Sequence, residues 1–156
     1  NITLSDCTKV NVSNIKILSW PVNSDGINPV SSSNVKIDDC FIRNYDDCFS
    51  IKLNYFKGTE KLIKGTNDIV IQNCILWTDK GRSCLIGPES AGKGPRIYSG
   101  IVFRNIDVLR VRQYTIDWAT GVLAINCGDS AKVKNILFYN IGERGKNTLN
   151  VFLIIF

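Results

Sequence analysis

Short segments in which apolar and polar residues alternate recur along the chain. Five of them open on an apolar–x–apolar triplet, followed by a polar residue, then Asn or Asp, then an apolar residue or Cys. They begin at Val10, Val35, Ile69, Ile101 and Ile136. Alternation with β-branched residues is typical of short strands. One unit repeated in a fixed order predicts a solenoid.

The fifth position of every unit is Asn or Asp, and these positions lie 25 to 35 residues apart. Asn and Asp tolerate the left-handed backbone conformation, which suits a tight bend between two strands. If the units stack, the side chains at this position can hydrogen-bond from one coil to the next in a ladder. The residues concerned are Asn14, Asp39, Asn73, Asn105 and Asn140.

A second set of short apolar segments lies between the repeats, at 26–28, 48–51, 84–87, 114–116 and 121–125. Two or three short strands per coil without helical periodicity predict an all-β, right-handed parallel β-helix of about five coils. The alternative is a β-sandwich, which requires hairpin turn signals that are rare here. We expect residues 1–156 to form a single domain.

We also expect this domain to be an uncapped piece of a longer chain, because it begins within the pattern and contains no Met. The apolar residues 151–156 at its end predict one more buried strand. The segments at 52–66 and 87–96 are long enough to form the walls of a cleft.

Composition excludes several classes of site. The chain has no His, which excludes Ser-His and Cys-His catalytic pairs and imidazole metal ligands. Its six Cys show no C-x-x-C spacing, so we predict no metal and no cofactor. No apolar run is long enough to span a membrane, and no nucleic-acid-binding module is recognisable despite a net charge of +5. We expect a monomer without membrane or nucleic-acid partners.

Three aspartates form a candidate catalytic site. Asp25 precedes one strand of the second set, and the pair Asp46 and Asp47 precedes the next, 21 residues later (46 − 25). Neighbouring coils are about 4.8 Å apart, so stacking should bring the three carboxylates together, with one holding a proton. A protonated acid beside ionised ones is what glycoside hydrolysis uses, and inverting enzymes leave roughly 6.5–9.5 Å between acid and base.

Three motifs carry a resemblance to a known family. Residues 23–27 (NSDGI) resemble the N-T-D-G-[IV] motif of glycoside hydrolase family 28, the polygalacturonase family. Residues 46–52 (DDCFSIK) resemble its D-D-C-I-A-I-K motif, and residues 86–92 (IGPESAG) the I-G-S-E-x-S-G-G stretch of its exo-acting members. The resemblance implies a right-handed β-helix and a secreted or periplasmic inverting hydrolase of polysaccharides or oligosaccharides. It implies Asp46 as general acid, with Asp25 and Asp47 positioning and activating the water.

The sequence departs from the family at two motifs. The G-H-G motif falls at residues 81–83, where Arg82, or Gly81 with a one-residue shift, takes the place of His. The R-I-K motif, which grips the galacturonate carboxylate, falls near residues 115–117, where Asp117 would repel an anionic sugar. The dextranase-like family 49 also uses three aspartates, so a neutral glycan stays open as substrate. The candidate substrate-binding residues are Arg82, Lys52, Asn23, Glu89 and Tyr114, with Trp77 and Trp118 as further possible sugar platforms.

Two other functions fit the pattern. A calcium-dependent polysaccharide lyase would bind the ion through carboxylates such as Asp38, Asp39, Asp46 and Asp47. A non-catalytic β-helix that binds glycans would explain the missing His as the mark of a lost active site.

Overall fold

The structure is a computed structural model that describes residues 1–54, 64–87, 89–111, 121–127 and 129–144, and the backbone of 151–155. These residues form strands only, and most strands pair across coils. The strands are β1 (Ile2–Ser5), β2 (Thr8–Ser13), β3 (Lys16–Leu18), β4 (Ile27–Val30), β5 (Ser33–Asp38), β6 (Phe41–Asn44), β7 (Phe49–Ile51), β8 (Thr66–Thr78), β9 (Cys84–Ile86), β10 (Ile97–Val111), β11 (Leu123–Cys127), β12 (Lys132–Glu143) and β13 (Val151–Ile155).

The strands form two sheets in which every pairing is parallel. We call the first the site sheet, with strand order β1-β4-β7-β9-β11-β13. The second is the ladder sheet, with order β12-β10-β8-β5-β2, while β3 and β6 extend it beside β8. The chain alternates between the two sheets, one coil after another. This is a parallel β-helix, and the β-sandwich alternative is wrong because parallel neighbours are joined by crossovers rather than hairpins.

The pairing register confirms the repeat. Val10 pairs with Val35, Val35 with Ile69, Ile69 with Ile101, and Ile101 with Ile136. The first residues of all five predicted units therefore lie in one column across the ladder sheet. Of the second set, β4, β7, β9 and β11 are confirmed, whereas residues 114–116 lie outside the described residues. β13 pairs with β11 and so continues the site sheet beyond the fifth coil.

The Asn ladder runs along the bend within the ladder sheet. Asn140 donates to Asn105 at 3.0 Å, and Asn105 donates to Asn73 at 3.1 Å. Asn73 then donates to the carboxylate of Asp38 at 2.8 Å rather than to Asp39. All five predicted corner residues have φ between 51° and 54°, which is the left-handed region that Asn and Asp tolerate.

Inward-facing residues from both sheets fill the interior. Ile27 and Phe49 from the site sheet pack in the same cluster as Ile37, Ile71 and Phe103 from the ladder sheet. Each such buried side chain contributes about 1.5–3 kcal/mol by leaving water. The six cysteines are free thiols and five are buried. Cys40, Cys74 and Cys84 are among those that pack in this core. No helix among the described residues is long and apolar enough to span a membrane.

Candidate active site

Asp25 lies in the bend that enters β4, on the second coil. Its Oδ2 accepts a 2.7 Å hydrogen bond from the side-chain amide of Asn28 and one of 3.2 Å from Nζ of Lys52. Asn23 opens the bend with φ of 59°. The Asp25 side chain is largely buried, so these two donors replace water around its carboxylate.

Asp46 and Asp47 lie in the bend that enters β7, one coil further on. The fully buried Asn44 holds this bend, because its Nδ2 lies 3.0 Å from the Asp46 carbonyl and 2.9 Å from the Asp47 carbonyl. The same nitrogen lies 2.8 Å from the carbonyl of Ser24, in the bend that carries Asp25. One amide group therefore fixes both aspartate-bearing bends relative to each other.

The next coil supports Asp47 from the other side. The backbone amide of Arg82 donates to Oδ1 of Asp47 at 2.7 Å, and the Arg82 guanidinium lies 3.6 Å from the same oxygen. Gly81 packs directly on the peptide that joins Asp46 to Asp47. A Cβ at Gly81 would lie 2.2 Å from the carbonyl carbon of Asp46, so only glycine fits there without a shift.

Backbone hydrogen bonds between coils bring the three acids together. The amide of Gly26 donates to the Asp47 carbonyl at 2.8 Å, which places Asp25 beside the pair. One carboxylate oxygen from each of Asp25, Asp46 and Asp47 lies within 4.8 Å of the others. The predicted gathering of the three carboxylates is thus present. Their nearest oxygens are closer than the 6.5–9.5 Å separation expected for an inverting pair.

Burial and mutual repulsion raise pKa values in this cluster. Burial raises the pKa of Asp47 to about 7, the nearby Asp46 carboxylate adds to the rise, and the Arg82 guanidinium opposes it. The pKa of Asp46 is also raised, first by burial and then by the charge of Asp25. Burial on its own would lower the pKa of Lys52, but the carboxylates of Asp25 and Glu89 outweigh it and raise the value. A cationic Lys52 therefore faces a cluster that retains a proton near neutrality.

An open pocket gives access to this cluster. It is lined by Asn23, Asp25, Asp46, Lys52 and Glu89. Nζ of Lys52 lies 3.3 Å from Oε1 of Glu89 as well as near Asp25, so it links the bend that carries Asp25 to the loop after β9. The pocket confirms that part of the predicted cleft wall, at 87–96, borders the acids. Residues 55–63 of the other predicted wall lie outside the described residues.

The structure gathers most of the predicted site residues and leaves some apart. Asn23, Lys52 and Glu89 line the pocket with the acids, whereas Arg82 is buried behind Asp47 and does not line it. Tyr114, Trp118 and Asp117 lie outside the described residues. Trp77 lies on the ladder sheet between the guanidinium groups of Arg43 and Arg110. It therefore does not line the pocket as a sugar platform.

The carboxylates expected for a calcium site do not all assemble. Asp38 forms a 2.8 Å ion pair with Lys36 and accepts hydrogen bonds from Gln72 and Asn73 on the ladder sheet. The acidic cluster that the described residues form consists of Asp25, Asp46 and Asp47, without Asp38 or Asp39. The oxygen set considered for a lyase is therefore divided between two sheets.

Sequence reasoning missed the residues that position the acids. Asn28, Asn44 and Thr78 act through hydrogen bonds, and Thr78 donates to the Asp46 carbonyl at 2.6 Å while it accepts from the Gly81 amide at 2.7 Å. Most of their partners are backbone atoms, which leave no pattern in the sequence. The position of Asn44 two residues before the acid pair is the one signal that could have indicated it.

Comparison with known proteins points to one family. A "Probable endopolygalacturonase D" from Neosartorya fischeri is 30% identical over 124 residues, 79% of this chain and 22% of that protein. A "Probable polygalacturonase" from Vitis vinifera is 31% identical over 70 residues, 45% of this chain and 14% of that protein. The chain thus spans less than a quarter of either relative. No solved structure matches it significantly.

The family model for the glycosyl hydrolases of family 28 matches residues 1–141, which include every strand from β1 to β11, most of β12 and all three acids. On this match, and on the β-helix that carries the acids, the chain belongs to glycosyl hydrolase family 28.

Proposed function

We propose that this protein hydrolyses a glycosidic bond of a polysaccharide, with Asp25, Asp46 and Asp47 as the catalytic acids. The proposal rests on one observation. Three carboxylates from two consecutive coils lie at an open pocket, with one oxygen of each within 4.8 Å of the others. A structural role alone does not account for them, because clustering buried carboxylates costs free energy through desolvation and repulsion.

Asp46 is the general acid in this proposal. It is the most exposed of the three carboxylates and lines the pocket, so it can reach the oxygen of the leaving sugar. Its raised pKa keeps a proton available for that oxygen. Protonation of the leaving oxygen and departure of the sugar give an oxocarbenium-like transition state, which the remaining carboxylates stabilise.

Asp25 and Asp47 hold and activate the attacking water. Donors fix both carboxylates: Asn28 and Lys52 for Asp25, and the Arg82 amide for Asp47. Carboxylates held this way can accept a proton from water as it adds to the sugar. The proton that Asp46 gives up is thus balanced by the one that the water loses to this pair.

The three carboxylates share protons because they lie so close together. In the free protein the buried Asp47 takes up a proton with a pKa of about 7. Catalysis requires that proton on Asp46, so that Asp47 is ionised when the water gives up its proton. The active form therefore carries one proton on the cluster, on Asp46 when the substrate is bound. Loss of this last proton at alkaline pH ends the activity.

Inversion at the anomeric carbon is part of the proposal and follows the family resemblance. The close spacing of the oxygens resembles the roughly 5–5.5 Å of retaining enzymes. However, Oδ2 of Asp25 and Oδ1 of Asp47 are both occupied by donors, which reduces their strength as nucleophiles. The configuration of the first product distinguishes the two outcomes.

The substrate we propose is a galacturonate polymer, as in the names of the two relatives. The net charge of +5 and the cationic Lys52 at the pocket favour an anionic chain over a neutral one. Polymers of this size do not cross membranes, so we place the activity outside the cytoplasm.

The test is release of reducing ends from a panel of polysaccharides. The panel contains polygalacturonate, rhamnogalacturonan, dextran and a neutral plant glycan, each assayed with and without chelator. We expect release from polygalacturonate by the wild type. Removal of the general acid in Asp46→Asn should lower it about 10²–10⁴-fold, with circular dichroism confirming the fold.

The matched control is Asp39→Asn, the same change at an exposed corner of the ladder sheet, which should keep full activity. Release of reducing ends that occurs without chelator and stops when chelator is added would favour a calcium-dependent lyase over a hydrolase. Tight glycan binding without release by any variant would leave a non-catalytic glycan-binding protein.

A further inference from the structure

A second pocket is formed in part by the loop that follows β9, which also carries Glu89. It has a volume of about 500 Å³, within the range of small-molecule sites. Its lining comes from the loop between β9 and β10 and from the turn between β11 and β12. The lining includes three cations, Lys93, Arg96 and Lys132, and no acid.

Hydrogen bonds hold this pocket in shape. Nε of Arg96 donates to the Gly92 carbonyl at 3.2 Å, and Nη1 donates to the Asp129 carbonyl at 2.7 Å. The amide of Lys132 donates to the Arg96 carbonyl at 2.7 Å. Arg96 thus ties the loop of the fourth coil to the turn of the fifth. Its charge is kept at the pocket together with those of Lys93 and Lys132.

The loop that forms this pocket begins at the active site. Glu89 contacts Lys52 through its carboxylate, and its carbonyl accepts hydrogen bonds from the amides of Leu53 and Asn54 at 3.0 and 2.9 Å. Gly92 follows Glu89 by three positions, and three residue steps span at most about 11 Å. The cationic pocket therefore borders the cleft a short distance from the acids, towards the later coils.

We propose that the pocket formed by Lys93, Arg96 and Lys132 binds the carboxylate of a substrate sugar that lies beyond the bond being cleaved. This inference rests on the proposed function, because it takes the ligand to be the anionic polymer that reaches the three acids. Three cations around one open pocket favour an anion, and ammonium or guanidinium groups form charge-assisted hydrogen bonds with carboxylates. A neutral sugar at this position would gain none of these interactions.

The test measures binding without turnover. A hexagalacturonide and its fully methyl-esterified form are titrated by calorimetry into the Asp46→Asn protein. We expect the acid form to bind more tightly than the ester. Lys132→Ala added to Asp46→Asn should weaken binding of the acid form about 2- to 5-fold, as for the loss of one partly exposed ion pair, and leave binding of the ester unchanged.

The matched control is Lys134→Ala, which removes the same charge from the same strand at an exposed residue outside the pocket lining. Lys93→Ala provides an independent second variant. Inorganic sulfate is titrated as well, and competition by sulfate alone at millimolar concentration would reassign the pocket to small anions. Equal binding by Lys132→Ala, Lys93→Ala and Lys134→Ala would overturn the inference.

The result is separable from the proposed function. If the reducing-end assay fails but the Lys132→Ala loss appears with the acid form only, the pocket binds carboxylates on a protein without activity. If hydrolysis of polygalacturonate is found and Lys132→Ala behaves as Lys134→Ala, the activity stands and this pocket plays no part in it.

Discussion

The backbone amide of Arg82 donates a 2.7 Å hydrogen bond to Oδ1 of Asp47 from the following coil. This bond does not depend on the side chain at position 82. The guanidinium adds a positive charge 3.6 Å from the same oxygen. Arg82 therefore supports the acid cluster from behind, and its charge opposes the rise in the pKa of Asp47.

Arg82→Gln tests this charge. The backbone bond remains, but without the guanidinium the pKa values of Asp47 and Asp46 should rise further. The last proton then leaves the cluster at a higher pH, so the alkaline limb of kcat/KM against pH should move upward by about 1 pH unit. Arg82→Lys keeps a positive charge and should shift the limb less. An alkaline limb at the same pH in wild type and Arg82→Gln would show that Arg82 does not act on the cluster.

Asp47 should also make stability depend on pH. Its pKa is raised from 3.8 to about 7 in the folded protein, so between these values the folded state holds a proton that the unfolded state has lost. Stability from this group is therefore present at about pH 4 and is lost as pH rises to about 7. The slope is at most about 1.4 kcal/mol per pH unit.

Urea unfolding at several pH values between 4.5 and 7.5 measures this slope. Asp47→Asn, which cannot ionise, should flatten it, whereas the exposed Asp39→Asn should leave it as in the wild type. Parallel slopes for all three proteins would contradict the assignment of a raised pKa to Asp47.

Gly81 offers a third test, through packing alone. In Gly81→Ala the new Cβ would lie 2.2 Å from the Asp46 carbonyl carbon and 2.4 Å from the Asp47 nitrogen. The bend that carries both acids must move, and displacements of about 1 Å at a catalytic centre can cost about 10²-fold in rate. We expect a loss of this size in kcat/KM.

Gly142→Ala is the matched control, because nothing lies within 4 Å of a Cβ at that position. It should retain wild-type activity. Full activity in Gly81→Ala would mean that the close approach of Gly81 to the acid pair is not needed for catalysis.

The sequence contained enough to predict the β-helix and the three acids. The repeat that begins at Val10, Val35 and Ile69 places apolar residues at the same position in every coil. A parallel stack of coils then pairs these residues in register and buries them. The left-handed corners follow from Asn and Asp at a fixed position. From this register the proximity of Asp25 to Asp46 and Asp47 follows directly, since coil spacing is a constant of β-structure.

Side-chain positions that depend on tertiary contact could not be predicted. The strand β1 is too short and too isolated to stand out, and the ladder was expected at Asp39 but continues through Asp38. Trp77 was considered a sugar platform because aromatic rings suit sugars. Its position between Arg43 and Arg110 depends on which residues pair across the coils. The spacing of the three carboxylates depends on hydrogen bonds from Asn44 to the backbone carbonyls of both bends. Such contacts leave no motif in the sequence.

The most direct test of the catalytic account is the anomeric configuration of the first product, followed by proton nuclear magnetic resonance. A galacturonate oligomer is mixed with the wild type, and in parallel with Asp46→Asn. If the three aspartates act as proposed, the wild type first releases the anomer opposite to that of the cleaved bond, and Asp46→Asn releases almost none. Initial release of the retained anomer, or equal release by Asp46→Asn, would contradict the roles assigned to the three aspartates.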